Sequence, residues 1–411
     1  MVGSNAPVVA DVLVVGRGPI GASAALAIAR QGRRVALIGL PAPTQHQPAP
    51  GGDNRVFALS GPSIALLREL GVWQALDPSR IAPVARMRVW PLASAEAPML
   101  EFDAFDSAID ALAVIVEGGE LQRVLAQALQ FSSVQLVEAS VAQLRADAVH
   151  QTELLLGDGR YATAQLVLGC DGAQSALRGL SGIEANFKDY GQRAVVANFA
   201  SAKPHRDTAF QWFGEHGVLA LLPLAGDLQA AAASGGRLSM VWSAPHALAD
   251  ELMSLGPKAF AQRVAQASGS VVGELDLLSP VAAVDLRLGR VSSLIGARLA
   301  LAGDAAHVVH PLAGQGMNLG FGDVAMLVEA IRGEPDPGTR RVLRRYERAR
   351  AEPVLAMRLL TDGLQRLFDQ AQVASFGALA TPLVAARDLG WRAVASSAWL
   401  RRQLVAQAGR R

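Results

Sequence analysis

Apolar positions follow two rhythms along this chain, and each predicts its own kind of layer. Short unbroken apolar runs stand at Val12–Val15, at Val35–Ile38, from Leu166 onward and at Leu299–Ala302. Such runs, bounded by turn residues, predict strands buried on both faces. Ala22–Arg30 is an Ala-rich helix pattern between the first two, giving strand–helix–strand. The stretches Val195–Phe199, Thr208–Phe213, Val218–Leu222 and Arg237–Trp242 are β-like runs separated by turn residues, which predicts an antiparallel sheet. Pro83–Phe102 adds an excursion to it. Leu343–Phe368 reads as helix, with apolar positions at Val354, Leu355, Met357, Leu360, Leu364 and Leu367. Pro41–Gly52 has several prolines and no apolar face, so it predicts a surface loop with a solvated His46.

Chemistry gathers at three strand ends. Gly16-Arg17-Gly18-Pro19-Ile20-Gly21 is GxGxxG between a strand and a helix. Gly16 and Gly18 permit a tight turn and close approach to a pyrophosphate, and Gly21 permits close helix–strand packing. The run from Leu166 ends in Asp171-Gly172 and turns into a helix carrying Arg178. Leu299–Ala302 ends in Gly303-Asp304, then runs through Pro-Leu-Ala-Gly-Gln-Gly into an apolar-periodic helix. A carboxylate there suits a sugar-like hydroxyl, and a glycine turn before a helix offers free N–H groups to an anion.

Together these turns resemble the single-component FAD-dependent aromatic hydroxylases of the para-hydroxybenzoate hydroxylase type, and within them the ubiquinone-biosynthesis hydroxylases. The closer similarity rests on His307–Asp323 (HVVHPLAGQGMNLGFGD), Asp53–Ser60 (DNRVFALS) and Ala220–Leu224 (ALLPL). The resemblance implies an α/β fold, with a Rossmann-like FAD-binding domain, an antiparallel-sheet substrate domain and C-terminal helices. The FAD domain is expected from 8–80, 106–182 and 288–345, the substrate domain from 81–105 and 183–287, and a helical region from 346–411. Non-covalent FAD is the implied cofactor, with Gly16, Gly18, Gly21, Arg55, Gln122, Asp171, Gly303, Asp304, Gly316, Met317 and Asn318 as its contacts. Pro311 and Gly316 would position the reacting ring, with no protein nucleophile. The N–H groups of Gly316, Met317 and Asn318 would face the pyrimidine edge and favour the anionic reduced flavin.

The implied reaction is ring hydroxylation of a polyprenylated phenol with NAD(P)H and O2, through a C4a-hydroperoxyflavin. Alternatives are hydroxylation of another apolar aromatic, or a flavin-binding assembly subunit without turnover. NAD(P)H would dock transiently, since the Rossmann-like unit is taken by FAD, and Asp171 and Arg178 would serve both nucleotides. Asp171 also reads as a helix cap, and Arg55 as a surface salt bridge.

Composition narrows the partners. Net charge is +2, and no basic stripe with interleaved aromatics suggests nucleic acid. No run approaches the length of a membrane span, and no signal peptide is expected. The single cysteine, Cys170, excludes an intrachain disulfide and fits a reducing compartment; it is expected beneath the Asp171 turn. The spacing of His307 and His310 offers a metal pair without a third ligand, so no metal is expected and His307 should orient the turn.

Two departures from the family pattern stand out. Gly39 follows the second strand where an acid usually binds the adenosine ribose, with Asp53 a candidate substitute. Gly118-Gly119 follow Glu117 and are expected to loosen the local helix start. On the substrate side, Phe210, Trp212, Leu221, Pro223 and Trp242 are the candidate pocket. No tyrosine stands in its strands and no arginine in Leu219–Leu224, which favours an apolar substrate. From Leu389 on, Arg392, Arg401, Arg402, Arg410 and Arg411 surround Trp391 and Trp399 with no acid. That reads either as a packed terminal helix or as peripheral contact with a membrane or a biosynthetic complex, on an otherwise cytoplasmic protein.

Overall fold

The structure is a computed structural model of the chain that describes residues 6–41, 53–91, 98–146, 150–214, 216–226, 235–309, 315–368 and 389–409. The expectations for residues 42–52 with His46, for His310 and Pro311, and for Arg410 and Arg411 fall outside these residues.

The unbroken apolar runs become one sheet, in the order Ile295–Gly296, Leu299–Leu301, Leu166–Gly169, Val12–Val15, Val35–Ile38 and Gln135–Val137. All neighbours pair in parallel except the edge strand Ile295–Gly296. Alternate residues serve two cores, which is why these strands carry no polar face. Val12, Val14, Val35, Leu37, Leu166 and Leu168 pack against the helices Pro19–Ala29, Gly118–Gln130 and Gln315–Ile331. Leu13, Val15, Ala36, Ile38 and Val167 pack on the other side against a second sheet that includes Thr152–Leu156 and Tyr161–Ala164.

The second rhythm becomes a large, mostly antiparallel sheet centred on Ala185–Ser201, Gly236–Pro245, Gly217–Leu224 and Thr208–Gly214. The excursion joins it: Arg86–Pro91 pairs in parallel with Thr208–Gly214, and Leu100–Asp103 extends the edge. On the opposite flank, Ala282–Val291 pairs with Ala185–Ser201 and with His307–Val308, which follows the Asp304 turn. Two of the expected boundaries fall inside elements, Leu288 in the strand Ala282–Val291 and Arg345 in the helix Arg340–Phe368. A small sheet of Val56–Leu59, Ala113–Glu117 and Ile81–Val84 lies between the parallel and the large sheets.

Candidate functional site

The three turns converge at the carboxyl ends of the parallel strands, where ligands bind in open α/β sheets. Gly16 has φ +111°, and a Cβ on it would stand 2.2 Å from the Cys170 carbonyl oxygen. A Cβ on Gly21 would stand 1.9 Å from the Gly16 carbonyl oxygen. Both positions therefore require glycine for chain packing alone. Gly18 is different, because a Cβ there would meet only open space. The loop's outer side is thus free to receive a ligand's backbone.

Asp304 is exposed just past the end of the strand Leu299–Leu301, with charged neighbours around it. Burial pushes its carboxyl up from its ordinary value, and the nearby charges of His307 and Arg55 oppose that shift. Arg55 thus stands within electrostatic reach of Asp304 although far away in sequence. It lies over the Phe57 ring at 5.2 Å.

Behind Asp304 sits a sealed polar knot. Asp323 is fully buried and accepts from the Gly303 N–H at 2.8 Å and from Arg350 Nε at 2.6 Å. His307 Nε2 lies 2.6 Å from the same carboxylate. Burial alone would raise the Asp323 carboxyl, but His307, Arg350 and the Gly303 N–H outweigh it and hold it below its ordinary value. His307 therefore does orient the turn, through a partner the sequence reading had not singled out. Its other nitrogen, Nδ1, is buried without a hydrogen-bond partner among the described residues. Arg178 is likewise inward: it donates to the Ala305 carbonyl at 3.0 Å and the Ala173 carbonyl at 2.9 Å, clasping two of the turns together.

Other expectations are relocated. Asp171 accepts from Ser175 Oγ at 2.5 Å and from the Leu177 N–H at 3.0 Å, so both its oxygens serve the following helix. The Asn318 side chain accepts from the Ser60 N–H and the Ser63 hydroxyl and donates to the Ala58 carbonyl, which ties the start of its helix to the strand Val56–Leu59. Gly316, Met317 and Asn318 do lie in the first turn of the helix Gln315–Ile331, where N–H groups lack intrahelical partners. Gln122 lies half-buried in the helix Gly118–Gln130. Gly118 and Gly119 do not loosen that helix. Their N–H groups donate to the Arg55 carbonyl and to Asp53 Oδ2, each at 2.7 Å, and a Cβ on Gly118 would collide with Arg55. Asp53 caps this junction, its other oxygen accepting from the Arg55 N–H, so it is not the substitute ribose acid. Cys170 is buried, and desolvation with Asp171 and Asp323 nearby pushes its thiol far above its ordinary value, so it has no nucleophilic role.

The expected substrate pocket requires the largest correction. Phe210, Trp212, Leu221 and Trp242 pack in one core with Leu252, Phe260 and Val264 of the helices His246–Ser254 and Pro257–Ala267. Pro223 pairs with Leu238 of that core and shares Leu221's parity. These side chains sit on the sheet face turned away from the three turns. The opposite face carries the alternate residues Val196, Val241, Ala220 and Gln211 in one row, and Asn198, Ser239 and Leu222 in the next. Asn198 Nδ2 reaches the Asp53 carbonyl at 3.1 Å, which fixes this face toward the turns. Val196, Val241 and Ala220 are only half-buried and belong to no packed cluster of the described residues, so this row is available to line a substrate site. Ser239 Oγ is buried and has no hydrogen-bond partner among the described residues. The error is one of parity, since adjacent strand residues point to opposite faces.

An open glycine turn, an accessible carboxylate at the end of a parallel strand and a buried imidazole nitrogen without a partner among the described residues fit a dinucleotide cofactor such as FAD. The chain belongs to the FAD binding domain family, which matches residues 9–358. It is 32% identical to a ubiquinone hydroxylase, UbiL, of Rhodospirillum rubrum, over 98% of this chain and 90% of that one. It is 31% identical to the 3-demethoxyubiquinol 3-hydroxylase of Escherichia coli K12, over 96% and 97%. Among solved structures, p-nitrophenol 4-monooxygenase PnpA of Pseudomonas putida shares the fold at TM-score 0.74 and 19% identity, covering 99% of this chain and 100% of that one. HpxO of Klebsiella pneumoniae, complexed with FAD and uric acid, aligns at TM-score 0.71 and 20% identity, covering 96% of both. The protein is thus an FAD-dependent monooxygenase of the aromatic hydroxylase class that takes NAD(P)H as co-substrate.

Proposed function

We propose that this enzyme hydroxylates the aromatic ring of a polyprenylated phenol in ubiquinone biosynthesis. The observation that carries the reading is the charge-free row Val196–Val241–Ala220, half-buried on the sheet face toward the flavin turns. A long apolar chain gains ~0.8 kcal/mol for each methylene it buries there, which no single polar contact matches. The relatives at 32% and 31% identity, a ubiquinone hydroxylase and a 3-demethoxyubiquinol 3-hydroxylase, support the same class.

In this reading the chain's own residues bind, orient and exclude water. The loop that Gly16 and Gly21 shape would receive the pyrophosphate at Gly18, and Asp304 would accept from a ribityl hydroxyl. His307 Nδ1 holds a polar atom at the same turn. The N–H groups of Gly316 and Met317, with the positive end of their helix, would hold the flavin's pyrimidine edge. Bound FAD supplies the reduction and oxygen activation. The charge-free row and Ser239 place the phenol ring and keep it dry.

A peripheral membrane contact belongs to the same reading. Phe105 is 89% exposed and Trp399 66% exposed, and the helix Ala398–Gly409 packs beside the turn Phe105–Ser107. Arg392 and Arg402 are exposed nearby in sequence. The tail splits the two earlier alternatives. Trp391 donates to the Pro98 carbonyl and packs with Val89 and Phe213, and Arg401 donates to the Val394 carbonyl, so both are structural. The exposed pair remains to face a lipid surface.

Two measurements test the proposal. Prenylated phenols should accelerate NAD(P)H oxidation with stoichiometric hydroxylated product, well beyond 4-hydroxybenzoate; efficient 4-hydroxybenzoate turnover with no response to prenylated phenols defeats the substrate assignment. Anionic liposomes should retain the protein and lose it on Phe105→Asp with Trp399→Asp; equal retention of that variant defeats the membrane contact.

A further inference from the structure

Gly39 leaves the adenosine end of the cofactor site without the acid that ordinarily closes it, and the space is filled from elsewhere. The Gly16 N–H donates to the Ile38 carbonyl at 2.8 Å, and the Gly39 N–H to the Val137 carbonyl at 3.1 Å. The glycine loop, the end of Val35–Ile38 and the end of Gln135–Val137 are therefore neighbours. Arg17, between the first two glycines, lays its stem over Gly39. A Cβ on Gly39 would stand 3.1 Å from Arg17 Cγ and 3.3 Å from the Arg17 nitrogen. The guanidinium continues to Glu138, one residue past the neighbouring strand, with Nη1 3.2 Å from Oε1.

An acid at residue 39 would have to enter the space that the Arg17 stem occupies. The chain instead carries a carboxylate one strand further out, held by an arginine rooted in the glycine loop. The Arg17 side chain is 18% exposed and that of Glu138 66%. Among the described residues neither has another hydrogen-bond partner, so further guanidinium N–H groups and Glu138 Oε2 stay available. Asp53, the other candidate acid, has both oxygens committed to the start of the helix Gly118–Gln130. Asp11 is paired with Arg34 before the start of Val12–Val15, at the opposite end of the sheet.

We propose that Arg17 and Glu138 together bind the adenosine ribose of FAD, replacing the acid that Gly39 lacks. Glu138 accepts from one ribose hydroxyl, and Arg17 donates to the other while holding Glu138 in place. An ordinary exposed ion pair would instead add little stability and no ligand affinity.

Equilibrium titration of the deflavinated full-length protein, followed by flavin fluorescence, separates the two cases. Arg17→Ala and Glu138→Gln should each weaken FAD about tenfold, since each removes a charge-assisted hydrogen bond to the ligand. Both should bind FMN, which lacks the adenosine, as tightly as the unaltered protein. ADP-ribose, titrated directly, should itself bind about tenfold more weakly to both variants. Glu138→Gln keeps the side chain's size at an exposed position, so its folding is not at risk. Unchanged FAD affinity in both variants, or FMN weakened as much as FAD, overturns the proposal.

Discussion

The two faces of the large sheet are made by the same strands and do opposite work. The outer face holds the heavy aromatics: Trp242 is 1% exposed, Trp212 5% and Phe210 4%, all pressed under two helices. Trp90 stacks on Trp212 with ring centroids 5.0 Å apart, extending that layer. The inner face is lighter and unfinished, with Val196, Val241 and Ala220 half-covered and Ser239 without a hydrogen-bond partner among the described residues. Large aromatic side chains here mark where a sheet needs cover from its own chain. The face proposed to meet the substrate carries small aliphatic residues instead, which leave room beside the flavin turns.

Trp242→Ala should produce the largest effect on stability. It removes a fully buried indole whose Nε1 donates to the His216 carbonyl at 2.9 Å. A loss of about 3–5 kcal/mol is expected from large-to-small core replacement, read by urea denaturation. The folded remainder should keep its KM. If KM for a prenylated phenol rises while stability holds, the outer face is the substrate face after all.

Val241→Glu asks the converse on the inner face. The residue is half-buried and outside every packed core, so folding should be nearly unaffected. A carboxylate in the substrate site must be desolvated beside an apolar chain. We expect kcat/KM for a prenylated phenol to fall about 100-fold, roughly 2.7 kcal/mol, with flavin content unchanged. Unaltered turnover would show that this row does not line the pocket.

Parity explains why the sequence reading chose the wrong face while placing the strands well. The runs at 195–199, 208–213, 218–222 and 237–242 all lie inside observed strands. Both faces are largely apolar, however, so alternation carries no clear label for inside and outside. The glycine turn was legible because its chemistry is local: Gly16 and Gly21 answer to contacts within one strand–helix unit or its neighbour. Asp323 was not assigned a role, although a lone acid inside the apolar pattern of Gln315–Ile331 was a visible signal. Its partners Arg350 and His307 come from another helix and another turn, a convergence only the packed fold creates. Arg178 and Asp171 were assigned to nucleotides but are occupied in holding the turns, since a conspicuous polar side chain can be spent on scaffolding.

The contrast between sealed and open positions recurs in two carboxylates. Asp323 is held low by its partners, so its contribution is present above the ordinary carboxylate range and is lost as pH falls through its depressed value. Asp304 has the opposite sign. The folded apoprotein holds its proton to higher pH than the unfolded chain does, so ionising it costs stability as pH rises. Asp304→Asn should therefore weaken FAD by about 1.5–3 kcal/mol while leaving the apoprotein's Tm at neutral pH equal or higher. Flavin titration and thermal melts of the deflavinated variant test both halves. Full FAD affinity in the variant would remove Asp304 from the site; a lowered apoprotein Tm would make it structural.

Ser239 gives the smallest and most selective effect. Its hydroxyl is fully buried, pairs across the ladder from Asn198 and Leu222, and finds no partner among the described residues. A buried hydroxyl without a partner costs stability, so Ser239→Ala should leave the free enzyme as stable as before or slightly more so. If the hydroxyl meets the phenol oxygen in the substrate site, the same change should cost about 0.5–1.5 kcal/mol in kcat/KM, a few-fold to about tenfold. That loss should appear with the phenol and vanish with an apolar ring analogue read through NAD(P)H oxidation. Equal losses with both ligands would mean that Ser239 only shapes the wall. A destabilised Ser239→Ala protein would mean that its hydroxyl is already satisfied inside the fold, and the inner face would then be less unfinished than its geometry indicates.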